Sequence, residues 1–136
     1  MPMEYEFDER RGLVHIRGTG YVSAQDVGER ERGLLAEPWY AHALARLIDL
    51  REVEDFPPAP EIARYAATAG QAPPSGHPSR RAVLVATDMQ YGLARMVIGH
   101  FHSPLLIYEI FREESEALAW LGVAAEVPER GVALDT

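Results

Sequence analysis

Hydrophobic and polar residues alternate over Met3–Asp8, with Met3, Tyr5 and Phe7 on one side and Glu4, Glu6 and Asp8 on the other. That period of two predicts a half-buried strand. Glu9-Arg10-Arg11-Gly12 reads as a turn, with Gly12 free to take positive φ. Leu13–Gly18 is then the return strand of a hairpin, Val14 and Ile16 inward, His15 and Arg17 outward. Ser23 with Asp26 three residues later predicts a capped helix to about Ala36, with Val27, Leu34 and Leu35 on its apolar face. Gly28 and Gly33 weaken that helix by about 1 kcal/mol each relative to alanine.

The period then changes. Ala43–Leu50 is short and mostly apolar, as suits a central strand covered on both faces. A proline-rich loop over Val53–Pro60 delivers a second helix at about Pro60–Ala69, closed by Gly70, and Gln71–Arg80 is a polar connection. Ala82–Ala86 is an apolar strand. Thr87 or Asp88 caps the next helix, in which Met89, Leu93, Met96, Val97 and His100 recur at helical spacing. Leu105–Phe111 is a further strand. Glu113 and Glu114 open a last helix packed down by Ala117, Leu118 and Leu121, and 124–136 shows no period.

The predicted order is ββαβαβαβα. Right-handed crossovers after the hairpin give an α/β fold, with a mixed sheet of about five strands parallel at its centre. Residues 1–123 read as one domain and 124–136 as a C-terminal tail.

Composition narrows the chemistry. Thirteen basic residues against twenty-one acidic ones give a net charge of −8, which disfavours nucleic-acid phosphates and anionic membranes as partners. Every basic residue is arginine, so Schiff-base lysines and Walker-type phosphate lysines are excluded. The chain has no cysteine, which removes disulfides and thiol catalysis. The acidic start lacks a signal-peptide pattern and no apolar run approaches membrane-spanning length, so a cytoplasmic protein without membrane insertion is expected.

Tyr91-Gly92-Leu93-Ala94-Arg95-Met96, an apolar strand and then FREESEALAWL resemble a group of small bacterial STAS/SEC14-type proteins of the SpoIIAA-like superfamily. The resemblance is specific over Tyr91–Leu121 and covers most of the chain in topology. In the anti-anti-sigma members a phosphorylatable serine follows an aspartate at the start of the second helix. Here Asp55 is followed by Phe56 and Pro57, so the resemblance does not extend to that switch. It implies a binding or regulatory domain that engages a protein partner or itself, with SEC14 kinship implying a small apolar ligand or lipid as the alternative.

Candidate chemistry is sparse. Asp49, Arg51, Thr87, Asp88, Tyr91 and Arg95 cluster in sequence around the carboxyl ends of the two central strands, where open α/β sheets bind ligands. These six are the expected binding residues, against the alternative of helix caps and surface ion pairs. A small hydrolase using Asp49, Arg51 and Tyr91 is the third reading. His100 and His102 diverge on a helix, and His15, His42 and His77 belong to other elements, so no metal is expected. No cofactor and no catalytic residue is indicated. Met89, Met96, Trp39 and Phe101 read as core, a ligand cavity or a dimer face.

Overall fold

The computed structural model describes residues 3–40, 45–65, 78–101 and 104–123. The expectations placed on His42, Gly70, His77, His102, most of the Gln71–Arg80 connection and the 124–136 tail lie outside these residues. Nine elements follow in the predicted order: β1 (Met3–Asp8), β2 (Leu13–Tyr21), α1 (Ala24–Ala36), β3 (Ala45–Asp55), α2 (Ala59–Tyr65), β4 (Ser79–Leu84), α3 (Asp88–Ile98), β5 (Leu106–Phe111) and α4 (Glu114–Leu121). The strands lie side by side in chain order. The β1–β2 pair is antiparallel and every later pair is parallel. Gly12 closes the hairpin at φ 61°, a left-handed conformation that a residue with a Cβ resists.

The sheet is covered unequally. Helices α1, α2 and α3 form a layer on one face, over Met3, Val14, Ile16, Val53, Val83 and Val85. Among the described residues, helix α4 alone packs the other face, where Ala117, Leu118 and Leu121 meet Leu13, Ala45, Leu47, Ala82 and Leu84. Alternation along β3 and β4 feeds both cores, which is why these strands read as mostly apolar runs.

Several elements depart from expectation. Strand β3 runs five residues past Leu50. Its extension, Arg51–Asp55, pairs only with β2, because the β3–β4 ladder stops at Asp49↔Leu84. A two-stranded extension with little cover is polar except for buried Val53, so its sequence resembles a loop. In α1 the capping box of Ser23 and Asp26 forms as predicted, but Leu35 is exposed. In α3, Met89 and Met96 are more than half exposed, and the buried positions are Gln90 and Ala94. Met89 and Met96 therefore belong neither to the core nor to a cavity. Trp39 stacks on Phe7 at 4.5 Å between ring centroids and meets the Tyr5 ring edge-on at 6.1 Å.

Candidate ligand cavity

The residues expected at the carboxyl end of the sheet divide between its faces. Asp49 and Arg51 point toward α4. Arg51 donates to both Asp49 carboxylate oxygens at 3.0 and 2.9 Å and reaches Glu114 at 3.2 Å. Burial alone would raise the Asp49 carboxyl, but the Arg51 hydrogen bonds outweigh it and hold that group below the usual carboxylate range. Thr87 is the N-cap of α3, its hydroxyl accepting from Gln90 N at 3.1 Å. Asp88 is exposed and accepts from Arg112 at 2.7 Å, and that guanidinium lies over the Tyr91 ring. Tyr91 and Arg95 line a separate hollow beside β5 with Tyr108 and Glu109. The sheet stands between Asp49–Arg51 and Tyr91–Arg95, so no single pocket gathers all six.

Gln90, buried to 2% exposure, holds this end together. Its carbonyl oxygen accepts from Ala86 N at 2.7 Å and Thr87 N at 3.2 Å, and its amide donates to Val53 O at 2.9 Å. One side chain thus satisfies the β4–α3 turn and the β3 extension together, a packing role for the polar step.

An apolar concave feature lies elsewhere, between the sheet and the α1–α3 layer. A half-enclosed cavity of about 110 Å³ has Ile48, Leu50 and Val83 on the strand side, with Val27, Ile62, Leu93, Ala94 and Val97 on the helix side. Phe56 and Phe101 also line it. The position where the family resemblance places a hydroxyl therefore contributes an aromatic wall.

One end of the cavity is charged. A cross-strand row on this face reads Phe7, Val14, Arg46, Arg81, Tyr108 from β1 to β5. Two arginines side by side in a buried sheet repel unless an anion stands over them. Glu31 of α1 is that anion, its Oε2 accepting from Arg46 Nη1 at 2.6 Å and from Arg30 Nη2 at 3.2 Å. Arg46 also donates to Tyr40 Oη at 3.0 Å, and Arg81 to Tyr108 Oη at 3.1 Å. Arg30, Glu31, Arg46 and Tyr108 all line the cavity.

The sharing is uneven. Burial pushes the Arg30 guanidinium down, with Glu31 opposing and Arg46 adding to the fall. For Arg46, burial is outweighed by the nearer Glu31 charge and the group is raised. Burial would raise the Glu31 carboxyl, yet Arg46 and Arg30 together hold it below its ordinary value. Arg30 is thus the under-compensated member. Its Nη1 donates to a thioether, Met3 Sδ, at 2.9 Å, a weak acceptor. Its Nε and Glu31 Oε1 are buried without a hydrogen-bond partner among the described residues.

These charged residues escaped the sequence reading, although a signal was present. Val27, Arg30, Glu31 and Leu34 fall at i, i+3, i+4 and i+7, the spacing of an apolar helix face with two charges at its centre. Arg46 and Arg81 each interrupt a strand that has to be buried on both faces. Such positions demand buried partners. Among the described residues no group of three or more His, Asp or Glu side chains is placed to hold a metal ion.

No protein-family model matches the chain, and no curated protein matches it. Among solved structures it is similar to an uncharacterised protein of the DUF3478 family with a SpoIIAA-like fold, from Shewanella loihica PV-4. The two share 17% identity over 88% of this chain and 91% of that one, with a TM-score of 0.57. The chain has a SpoIIAA-like α/β fold, as the Tyr91–Leu121 motif implies. Among the described residues, no helix is long and apolar enough to cross a membrane.

Proposed function

We propose that this protein is a SpoIIAA-like binding domain that holds a small, mainly apolar molecule in the cavity between the sheet and α1–α3. The cavity itself carries the reading. Protein interiors contain few voids larger than a water molecule. At about 24 cal/mol per Å³, an enclosed empty space of 110 Å³ costs up to roughly 2–3 kcal/mol of stability, and a half-open one costs less. A bound molecule recovers that cost. Substituting Ala94, a buried cavity-lining residue of α3, by leucine tests this. Ala94→Leu should match or exceed the wild type in thermal stability while losing the stabilisation that benzene-saturated buffer gives the wild type. A variant that still responds to benzene refutes the reading.

A second reading, a domain that engages a protein partner or another copy of itself, is supported by α3. Met89 and Met96 are exposed two turns apart, with exposed Gly92 between them. Solution mass with and without Met96→Glu tests it, since a self-associating face would release monomer on gaining a charge. A wild type that is monomeric at all concentrations removes the self-association form.

A further inference from the structure

Strand β5 ends the sheet on a bare edge. Leu105 O accepts from Ser79 N at 2.7 Å and Phe111 O from Val85 N at 2.9 Å, and the β4–β5 register between them is unbroken. In a parallel pair each residue turns both backbone groups one way, and its neighbours turn theirs the other way. Ile107, Glu109 and Phe111 therefore bond to β4, while Leu106, Tyr108 and Ile110 turn their N–H and C=O outward. Among the described residues no strand or loop bonds these six groups. Proteins guard such edges with lysine, proline or a bulge. The strand Leu106–Phe111 has none of these, and its one charge is Glu109. The hollow between α3 and β5 runs along the same edge, lined by Tyr91, Arg95, Ile98 and Ile110.

We infer that β5 pairs antiparallel with β5 of a second copy of this chain, about a two-fold axis through Tyr108. The chemistry of the strand singles out that register. Across a two-fold axis normal to the sheet, facing residues share one side, so one residue faces its own copy. With Tyr108 on the axis, Leu106 faces Ile110 of the second copy, and all the outward groups of both strands are bonded. With Glu109 there, two carboxylates stand opposite each other and Leu106 faces Arg112, beyond the end of the strand. Tyr108 Oη accepts from Arg81 of β4 at 3.1 Å, which draws that ring back from the seam. Ile107 then faces Glu109 of the second copy on the α4 side, at the close spacing of a pair without hydrogen bonds. Pairing with β1 instead would repeat without closing, against an edge whose exposed Glu4 and Glu6 repel Glu109.

This inference rests on the self-association form of the second reading above, and light scattering with amide hydrogen exchange on the intact chain separates the two. The wild type should be a dimer in which the Leu106, Tyr108 and Ile110 amides are protected. Ile107 is 39% exposed and Glu109 is exposed, so charge changes at either leave the monomer folded. Ile107→Glu sets two like-charge pairs across the axis and should raise the dimer dissociation constant at least about tenfold. The same three amides should then exchange at least about tenfold faster, while those of Glu109 and Phe111 keep the protection they owe to β4. Adding Glu109→Lys should restore the dimer, because each new glutamate faces a lysine. Ile107→Lys with Glu109→Lys should not, although it brings the net charge nearer zero, because lysine faces lysine. Equal dimerisation by the two double variants overturns the inference. So does a dimer that Met96→Glu dissociates and Ile107→Glu leaves intact, and self-association then stands on α3. A wild type that is monomeric at every concentration removes both.

Discussion

Replacing Glu31 by alanine removes the one carboxylate seen to pair with both Arg30 and Arg46, and leaves two guanidinium groups buried beside the hydrophobic core. Both contacts are lost together, at 2.6 and 3.2 Å, in a place where side chains are less than a tenth exposed. Breaking a buried pair by deleting one partner costs about 3–5 kcal/mol, because the remaining charge has lost water and gains nothing in return. Domains of this kind have about 5–15 kcal/mol in total. With a urea m value of about 1.5 kcal/mol per molar, the unfolding midpoint should fall by roughly 2–3 M. The triple replacement Arg30→Met, Glu31→Leu, Arg46→Met is the control. It removes charge and desolvation cost together, and should be close to neutral or stabilising. A Glu31→Ala midpoint equivalent to less than about 1 kcal/mol of loss would refute the claim that this cluster is buried and mutually dependent.

Acid should unfold the protein through the same group. The folded-state pKa values of Glu31, Asp49 and Asp8 are all lowered, so their contribution is intact above the unfolded carboxylate range of about 3.9–4.3 and is lost as pH falls through the lower folded values. Urea midpoints should be flat from pH 7 to about 5 and decline below that, and Asp49→Asn should make the decline shallower. Tyr5 tests the alkaline side. Its hydroxyl donates to Glu37 Oε2 at 2.6 Å, which with burial pushes its pKa up to about 12. That stabilisation is present below the ordinary value near 10 and disappears as pH rises to the folded value, so Tyr5→Phe should remove a phenolate absorbance step near the upper of the two. A Cβ on Gly33 would stand 3.2 Å from Tyr5 Oη. Gly33→Ala should therefore weaken the Tyr5–Glu37 bond in the wild type, yet stabilise by up to about 1 kcal/mol in the Tyr5→Phe background. Gly92→Ala meets nothing within 4 Å and should raise the melting temperature by a few degrees outright.

The element order and hairpin were legible because they depend on local periodicity. So were the Ser23–Asp26 capping box and a cap at Thr87 or Asp88, since these act within one helical turn, whereas the part Gln90 plays in the second box was not read. The far end of β3 was not, because its polar residues pair with only one neighbour and carry no core alternation. The cavity was least legible. Its charged end joins Arg30 and Glu31 to Arg46, fifteen residues beyond Glu31. A charge letter in isolation signals solvent, and only contact across elements turns it into a buried partner. The polar residues around Asp49 and Thr87 drew attention by their place above the strand ends. The structure spends much of that polarity on holding β3, β4 and α3 together through Gln90.

The strand order has a consequence for synthesis. Because β1 to β5 lie in the sheet as they occur in the chain, each new strand meets an edge laid down by its predecessor. No strand has to be inserted between two that are already paired. A chain emerging from the ribosome can therefore extend the sheet in one direction from the hairpin, which forms through the most local pairing of all. Until β5 arrives, a single growing edge stays open at the end of the nascent sheet, and that edge is where a holding chaperone or a stalled neighbour would attach.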